Sequence, residues 1–552
     1  MNTFIEKPRF AILLLCAVSA YLFLFQLGGF PLTDPDEVFY AQTAKEMLNR
    51  HEWATPYIYG KPQFEKPILF YWLVEASFAL FGVNEFAARL PSAVFALAGV
   101  ILVYLLGAVL FNRRVALFSG LIVATAIEYI VLSRACVTDM ALAVFITAGF
   151  LSFLFAYQRG KSFYYPVASL CFGLATLTKG PIGIALPAAI IVIYLAARRD
   201  VVAILRMRLI SSALVFLAVT VPWYALMIRL QGREFIDVFF GFHNIVRFLE
   251  PEHELGSQFY YYLPALLAEF FPWSTFLVFG LVRSFKKVLG RQDAPGCSPH
   301  TLLLTWSLVI LIFFSVSRTK LPTYIFPAFA PLAVIIAALW DEYLGSSDSP
   351  ALTKMMNCAF GLLAATLIIA IIPVLVVLDR RYPAIISGSI AAGACLIMTL
   401  IIAAALNFRK KRLWSLFSIP SAMVLFLYPF ITGIVPEIAF HESSKEMARQ
   451  VLLLAKKDDR IGSESHYRRG LTFYTDREVT DVDRHHDLVV FLSSKERVYC
   501  VLKEKNLVQL YTLDDKPYYT KPSYMLYKLR KKCIVTNRVP ENGVYITKME
   551  RK

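Results

Sequence analysis

The sequence predicts a polytopic α-helical membrane protein, and composition and hydropathy pattern both point there. The 552 residues are 57% hydrophobic and only 17% charged, with a mean hydropathy of +0.57, which is too apolar for a soluble globular chain. About thirteen apolar runs approach the ~20 residues that a helix needs to cross a hydrocarbon core. They are residues 10–28, 91–111, 115–133, 140–157, 163–178, 181–198, 209–230, 259–282, 301–316, 321–341, 355–378, 384–406 and 413–436. The net charge of +16 lies largely in short loops between these runs, where the positive-inside rule and anionic lipid account for it, so nucleic acid is excluded as a partner. The eight cysteines are scattered, without metal-ligand or disulfide-framework spacing.

Taken in order, the chain opens with Lys7 and Arg9 ahead of an apolar run that continues past the signal-peptide-like Ala17–Ala20 to Phe25. That length favours an uncleaved anchor. A polar stretch follows directly, Thr33-Asp34-Pro35-Asp36-Glu37-Val38-Phe39-Tyr40, continuing to Phe64-Glu65-Lys66-Pro67. Ionisable groups beside a membrane are costly unless they serve a function. The alternative is a turn in which Asp36 caps a helix over 37–48, with Glu37 at its positive end. Residues 67–82 number only about 15 and carry Glu75, so they suit a helix lying in the interface rather than crossing.

With 67–82 not crossing, Arg113-Arg114, the loops 159–161, 198–208 and 283–291, Lys354 and the cluster 409–412 fall on one, inner, side, as positive-inside requires. The acidic stretch, 134–139, Lys179, 231–257 and 317–320 then share the outer face. Pro222-Trp223-Tyr224 and Pro272-Trp273 are expected to be interfacial aromatic anchors. Glu128, inside a span, is expected to pair with a neighbouring polar group. Hydropathy drops after Val435, dividing the chain into a membrane domain, 1–440, and a soluble α/β domain, 441–552, of ordinary domain size. Within the latter, Ser443-Ser444-Lys445-Glu446 reads as a capping box. Strands are expected over 471–474, 488–492, 498–502, 523–529 and 544–546. Cys500 and Cys533 would meet an oxidising compartment and are candidates to pair.

An outer-face site rich in both signs of charge suits a substrate that lives in the membrane and carries an anion. Lys66, Lys179, Arg247, Arg318 and Lys320 supply enough cations for a phosphate or pyrophosphate head group, with Asp36 and Asp139 beside it. No nucleotide sugar is available on the outer face of a bacterial inner membrane, so the energy for a synthetic step there must arrive with the lipid, as a polyprenyl phosphate sugar.

Several motifs, in order, carry a resemblance: Asp36-Glu37 with Tyr40-Ala41, Glu46-Met47-Leu48, Phe64-Glu65-Lys66-Pro67, Thr138-Asp139, Leu177-Thr178-Lys179-Gly180, His243 to Phe248, and Lys320-Leu321-Pro322-Thr323-Tyr324. As a set they resemble the aminoarabinose transferases, within the larger protein O-mannosyltransferase-like family of GT-C fold glycosyltransferases. The resemblance implies a GT-C fold and transfer of 4-amino-4-deoxy-L-arabinose from undecaprenyl phosphate to lipid A at the periplasmic face of the inner membrane. It implies that Asp36 and Asp139 are the catalytic-site carboxylates, and that Lys66, Arg247, Tyr324 and Lys179 hold the donor phosphate. Glu65 and His243 would bind a divalent metal, zinc in that family; Asp34, Glu37, Tyr40 and Lys320 are further site candidates. In one respect the chain departs from the pattern: an arginine commonly follows the Asp-Glu pair by two residues, and here that position is Phe39.

A same-fold transferase acting on protein or another envelope glycan is the alternative that Phe39 keeps open. A lipid-linked sugar transporter would need ionisable residues along a path through both leaflets and repeated halves, whereas these cluster on one face and no internal repeat is visible.

Overall fold

The computed structural model describes residues 7–250, 258–292, 298–346, 349–382, 385–512, 522–540 and 544–549. Each of the apolar runs coincides with helix. Among the described residues eight helices are long and apolar enough to cross a membrane, and two bent pairs, Arg113–Thr125 with Ile127–Ser133 (67°) and Tyr262–Glu269 with Ser274–Leu289 (117°), bring the number to ten. The other three runs form Pro8–Leu24, Tyr164–Lys179 and Ile182–Ala197, of 17, 16 and 16 residues, short of the usual ~20. Length therefore supports ten spans of the expected thirteen. The helix with Glu75, Leu69–Phe81, has 13 residues, too few to cross.

The polar stretch is held by two buried arginines. Arg89, wholly buried in the helix Glu85–Leu110, donates from Nε and Nη2 to the two oxygens of Glu37, both at 2.8 Å. It also donates to the carbonyls of Leu27 (3.2 Å), Phe30 (2.8 Å) and Pro31 (2.7 Å), so every N–H of its fork is engaged. Arg134 donates to the carbonyls of Leu22 and Phe25 at 3.1 and 2.7 Å. Glu37 further accepts from the backbone N–H groups of Thr33 and Cys136, each at 2.9 Å. Burial pushes its carboxyl up, but Arg89 and these donors outweigh burial and hold it below the usual range. Glu37 is thus a structural hub rather than a reacting group. Asp36 does not cap its helix: Asp36–Arg50 begins with Asp36 itself, Pro35 holds the cap position, and no side chain caps it.

The C-terminal part is α/β. Two strands, β1 (Tyr57–Ile58) and β2 (Lys61–Pro62), form a small hairpin before it, and six strands make its sheet: β3 (Arg460–Ser463), β4 (Val479–Asp481), β5 (Val498–Lys503), β6 (Ser523–Leu529), β7 (Lys532–Thr536) and β8 (Thr547–Met549). Their order is β4-β3-β5-β7-β6-β8, parallel across the first three and antiparallel thereafter. The expected strands 498–502 and 523–529 are β5 and β6. Residues 471–474 and 488–492 are instead in the helices Ser465–Thr475 and His485–Leu492. These are the crossovers that parallel pairing demands, and their short apolar runs read equally well in either period. The strand expected over 544–546 lies at Thr547–Met549. Cys500 and Cys533 are both buried and free; Cys500 faces Val535 and Cys533 faces Leu502, two positions out of register.

Helix Ser465–Thr475 rests on helix Asp36–Arg50. Lys45 binds the Phe473 carbonyl and Asp476, both at 2.9 Å; the Tyr474 hydroxyl accepts from the Leu32 N–H at 2.8 Å; Lys445 pairs with Glu85 at 2.6 Å. The expected capping box forms only in part: Ser443 Oγ accepts from the Lys445 N–H at 3.2 Å, but Ser444 makes no side-chain cap and Glu446 turns to Arg449 at 2.9 Å. The Ser444 N–H is taken by Asp34 at 2.7 Å, a contact that crosses 410 residues of sequence. Burial pushes the Asp34 carboxyl up to about 6. A Cβ on Gly470 would come within 2.4 Å of Asp34 Oδ1 and 2.7 Å of Ser444, so only glycine permits this close approach.

Two other expectations are corrected. Trp223 and Trp273 are buried and donate to the Ala54 carbonyl (2.9 Å) and Thr125 Oγ1 (3.0 Å), so they join elements inside the protein instead of anchoring it at an interface. The charge acting on Glu128 is a carboxylate, Asp139, and Glu128 in turn acts on a further carboxylate, Glu269, rather than on a complementary polar partner.

Arg89→Met is expected to destabilise the protein by about 3–5 kcal/mol, the usual cost of leaving a buried partner charge uncompensated. Thermal unfolding in detergent checks it; an unchanged midpoint would show that the Glu37 hub is not what holds this face together.

Candidate active site

The site is assembled from helix ends. Asp36 and Asp139 are the first residues of the helices Asp36–Arg50 and Asp139–Arg159, and Lys179 is the last of Tyr164–Lys179. Glu65 and Lys66 lie between the β1–β2 hairpin and helix Leu69–Phe81. His243 falls in a π-helical stretch, Ile236–Val246, and Arg247 follows it at once; the wide turns of such a stretch set residues four apart on nearly one face. Gly180, with φ +91°, lets the chain turn after Lys179 so closely that a Cβ would lie 3.3 Å from Phe239 and 3.4 Å from Asn244 of that stretch.

These elements enclose a cavity of about 390 Å³ whose polar end carries Glu65, Lys66, Lys179, His243, Arg247 and Tyr324. Its other walls are largely apolar, among them Leu142, Ile182, Leu186, Phe313 and Phe314. Lys179 Nζ is 2.6 Å from Asp139 Oδ1 and 5.1 Å from the Tyr324 ring centroid. Arg247 is 3.5 Å from Glu65. Burial, reinforced by the Arg247 and Lys179 charges against the opposing pull of Glu65, lowers the Lys66 ammonium to about 8. Burial raises the Glu65 carboxyl, but Lys66, Arg469, His243 and Arg247 together hold it below its ordinary value. Asp36, close enough to feel Glu65, Asp139 and Arg247, is raised, chiefly by burial.

The sequence-expected residues therefore divide. Lys66, Lys179, Arg247, Tyr324, Glu65 and His243 converge on one cavity; Asp139 joins them through Lys179, and Asp36 through its charge. Glu37 and Asp34 face elsewhere, to Arg89 and Ser444. Tyr40 is buried in an aromatic cluster, 5.2, 5.4 and 5.8 Å from the rings of Phe39, Phe70 and Tyr71. Lys320 donates to the Ser317 carbonyl at 2.5 Å and, like Arg318, is not among the residues lining the cavity.

Comparison with known proteins can now be set beside this geometry. Residues 65–225 match the family model described as dolichyl-phosphate-mannose-protein mannosyltransferase. The undecaprenyl phosphate-alpha-4-amino-4-deoxy-L-arabinose arabinosyl transferase of Pectobacterium carotovorum is 30% identical over 428 residues, 76% of this chain and 74% of that protein. The enzyme of the same name from Aeromonas salmonicida is 34% identical over 64% of each chain. The chain belongs to this arabinosyl transferase family. The fold agrees: the crystal structure of ArnT from Cupriavidus metallidurans bound to undecaprenyl phosphate superposes with a TM-score of 0.79 at 23% identity, over 96% of this chain and 99% of that one. An oligosaccharyltransferase from Archaeoglobus fulgidus shares the GT-C architecture more distantly, with a TM-score of 0.52 at 14% identity over 98% and 75% of the two chains.

Glu65 and His243, the two residues expected to bind a metal, line the same cavity. Among the described residues no group of three His, Cys, Asp or Glu converges. Sequence reasoning missed Arg469. Its guanidinium, carried by helix Ser465–Thr475, lies 4.7 Å from the centroid of Phe39, at the position where the family pattern calls for an arginine. Only the pairing of two elements more than 400 residues apart could reveal it.

Lys66 is charged below about 8 and neutral above it, so affinity for a phosphate is full on the acid side of that value and lost as pH rises through it. Undecaprenyl phosphate is expected to bind up to about tenfold more weakly for each pH unit above that point, and Lys66→Arg, whose charge persists, should flatten the dependence. Dissociation constants measured from pH ~7 to ~9.5 check this; identical profiles for the two proteins would remove Lys66 from the phosphate site.

Proposed function

We propose that this chain transfers 4-amino-4-deoxy-L-arabinose from undecaprenyl phosphate to a phosphate of lipid A. The observation that carries the reading is the cavity itself. Lys66, Lys179 and Arg247 stand together in it and aliphatic and aromatic side chains make most of the remaining wall, which matches a ligand with a phosphate head and a hydrocarbon tail. The family relationship supports the sugar and the donor. The acceptor follows from the same chemistry: a phosphate oxygen, already ionised at neutral pH, attacks the anomeric carbon in line, the bond from that carbon to the donor phosphate breaks, and undecaprenyl phosphate leaves. Lys66 and Arg247 neutralise the charge that grows on the departing phosphate, an interaction stronger in the transition state than before it. Asp139 is committed to Lys179 at 2.6 Å and keeps that ammonium in place. Asp36 faces the acceptor and orients it, since an ionised phosphate needs no strong base.

A divalent ion such as zinc at Glu65 and His243 belongs to the same proposal; bound there it would add positive charge beside the donor phosphate. The protein acts from the bacterial inner membrane with this site on the periplasmic side, a topology supported by the basic loops on the opposite face. Single-cysteine labelling with an impermeant reagent, in a cysteine-free background, is expected to modify positions 65 and 320 but not 113 and 410 in intact spheroplasts; the reverse pattern would reject it.

Mass spectrometry of lipid A from cells with and without the protein is the direct test of the reaction, with an aminoarabinose increment on a phosphate expected only in its presence. Lys66→Ala and Arg247→Ala are each expected to lower turnover about 10²- to 10³-fold. Asp36→Asn should keep the midpoint of unfolding and undecaprenyl phosphate affinity yet transfer about 10²-fold more slowly. Full activity in the Asn variant would pass the orienting role to Asp139.

A further inference from the structure

The cations that line the cavity, Lys66, Lys179 and Arg247, are assigned above to the donor. Arg469 is different in origin and in place: it comes from the first crossover helix of the C-terminal sheet, Ser465–Thr475, and it is not among the residues lining the donor cavity. Phe39, on which it lies at 4.7 Å, is three residues after Asp36 and so on the same side of that helix, one turn on. The guanidinium is also close enough to act on both Asp36 and Glu65. His466, one turn earlier on the crossover helix, is likewise within reach of the Asp36 charge.

Docking of the C-terminal part draws on Arg469 for one side-chain hydrogen bond, with Tyr59, and this does not account for its place over Phe39. The rest of the docking falls to Lys45 with Asp476 and the Phe473 carbonyl, Lys445 with Glu85, Asp34 with Ser444, and Tyr474 with Leu32. The adjacent Arg468 has its own structural partners, the Val479 carbonyl at 2.7 Å, Asp481 at 3.5 Å and the Tyr59 ring at 3.8 Å. Arg469 is half-buried, lies over an aromatic ring, and is held within reach of Asp36 by a helix pinned at several points. A guanidinium has five N–H donors, so with one hydrogen bond to Tyr59 Arg469 keeps others for a charge-assisted contact with an oxyanion.

We propose that Arg469 is an acceptor-binding residue: it holds the anionic phosphate of the acceptor beside Asp36, so that the C-terminal part completes the active site and is not merely a cover. The inference rests on the transferase reading above. In-line displacement needs the acceptor phosphate and the donor phosphate on opposite sides of the reacting carbon, and the chain offers a separate set of cations for each, Lys66 and Arg247 for the leaving phosphate and Arg469 for the incoming one. Phe39 is then the platform for a cation delivered from another element.

Steady-state kinetics of the purified full-length protein in detergent, with undecaprenyl phosphate-aminoarabinose and hexa-acylated lipid A bisphosphate as the two varied substrates, tests it. Arg469→Gln is expected to raise KM for lipid A at least about tenfold, in the range of one lost charge-assisted contact, while KM for the donor and the dissociation constant of undecaprenyl phosphate stay at wild-type values. Arg469→Lys should fall between. Phe39→Leu, made on the other element, should raise the same constant by removing the platform. Protection of the C-terminal part from protease reports whether it stays docked. A lipid A KM unchanged in both Arg469→Gln and Phe39→Leu, or a rise in the donor KM of equal size, overturns the proposal. If the wild-type protein transfers nothing to lipid A, it is the transferase reading that fails; if it transfers normally and Lys66→Ala is inactive while Arg469→Gln is not impaired, only the role of Arg469 fails.

Discussion

The ion pair between Glu37 and Arg89 is the contact on which the outer face of this protein depends. Both groups are buried, and in that setting a lone charge is far more costly than a matched pair is rewarding. The chain meets the cost by saturating both partners: every N–H of Arg89 finds an oxygen, and Glu37 takes two further backbone donors. One of those donors, Cys136, is three residues before Asp139, and Glu37 is the neighbour of Asp36. A single buried carboxylate therefore sets the separation of the two candidate catalytic carboxylates. The residue beside a reacting group is here the one that does not react.

Around this hub, opposite charges are arranged by role. Lys66, Lys179 and Arg247 share a cavity in which burial first, and then the Arg247 and Lys179 charges, depress the Lys66 ammonium to about 8. Such crowding of like charges is unfavourable in an empty site and is relieved by a bound phosphate, which is how a pre-organised anion site is recognised. Glu65 and Asp139 keep Arg247 and Lys179 in position at 3.5 and 2.6 Å and limit that repulsion without cancelling it. The apolar walls immediately behind the charges join the membrane-embedded and the chemical halves of the substrate in one compartment.

The C-terminal α/β part is bound to the helix Asp36–Arg50 through contacts that bracket the candidate site, from Asp34 at one end to Lys45 at the other. Its two misread crossover helices illustrate a general ambiguity. Runs such as 471–474 and 488–492 are too short for helical and strand periods to be told apart locally, and the decision belongs to the sheet, whose parallel strands must be joined by a crossover. The same logic explains the free Cys500 and Cys533, whose register is a property of paired strands.

By itself the sequence determined the class of the protein, the run of apolar helices, and the residues that converge on the cavity as far as resemblance carried them. These are legible because hydropathy and short motifs are local, and local pattern survives without knowledge of partners. The tertiary structure alone separated Glu37, Asp34 and Tyr40, which hold the fold, from Lys66, Lys179 and Arg247, which face the cavity, though all six lie in equally suggestive motifs. It alone placed Trp223 and Trp273 inside the protein, and it alone brought Arg469 onto Phe39. The reason is physical: what a charged side chain does depends on which charge or ring stands a few ångströms away, and here those neighbours are separated along the chain by tens to hundreds of residues.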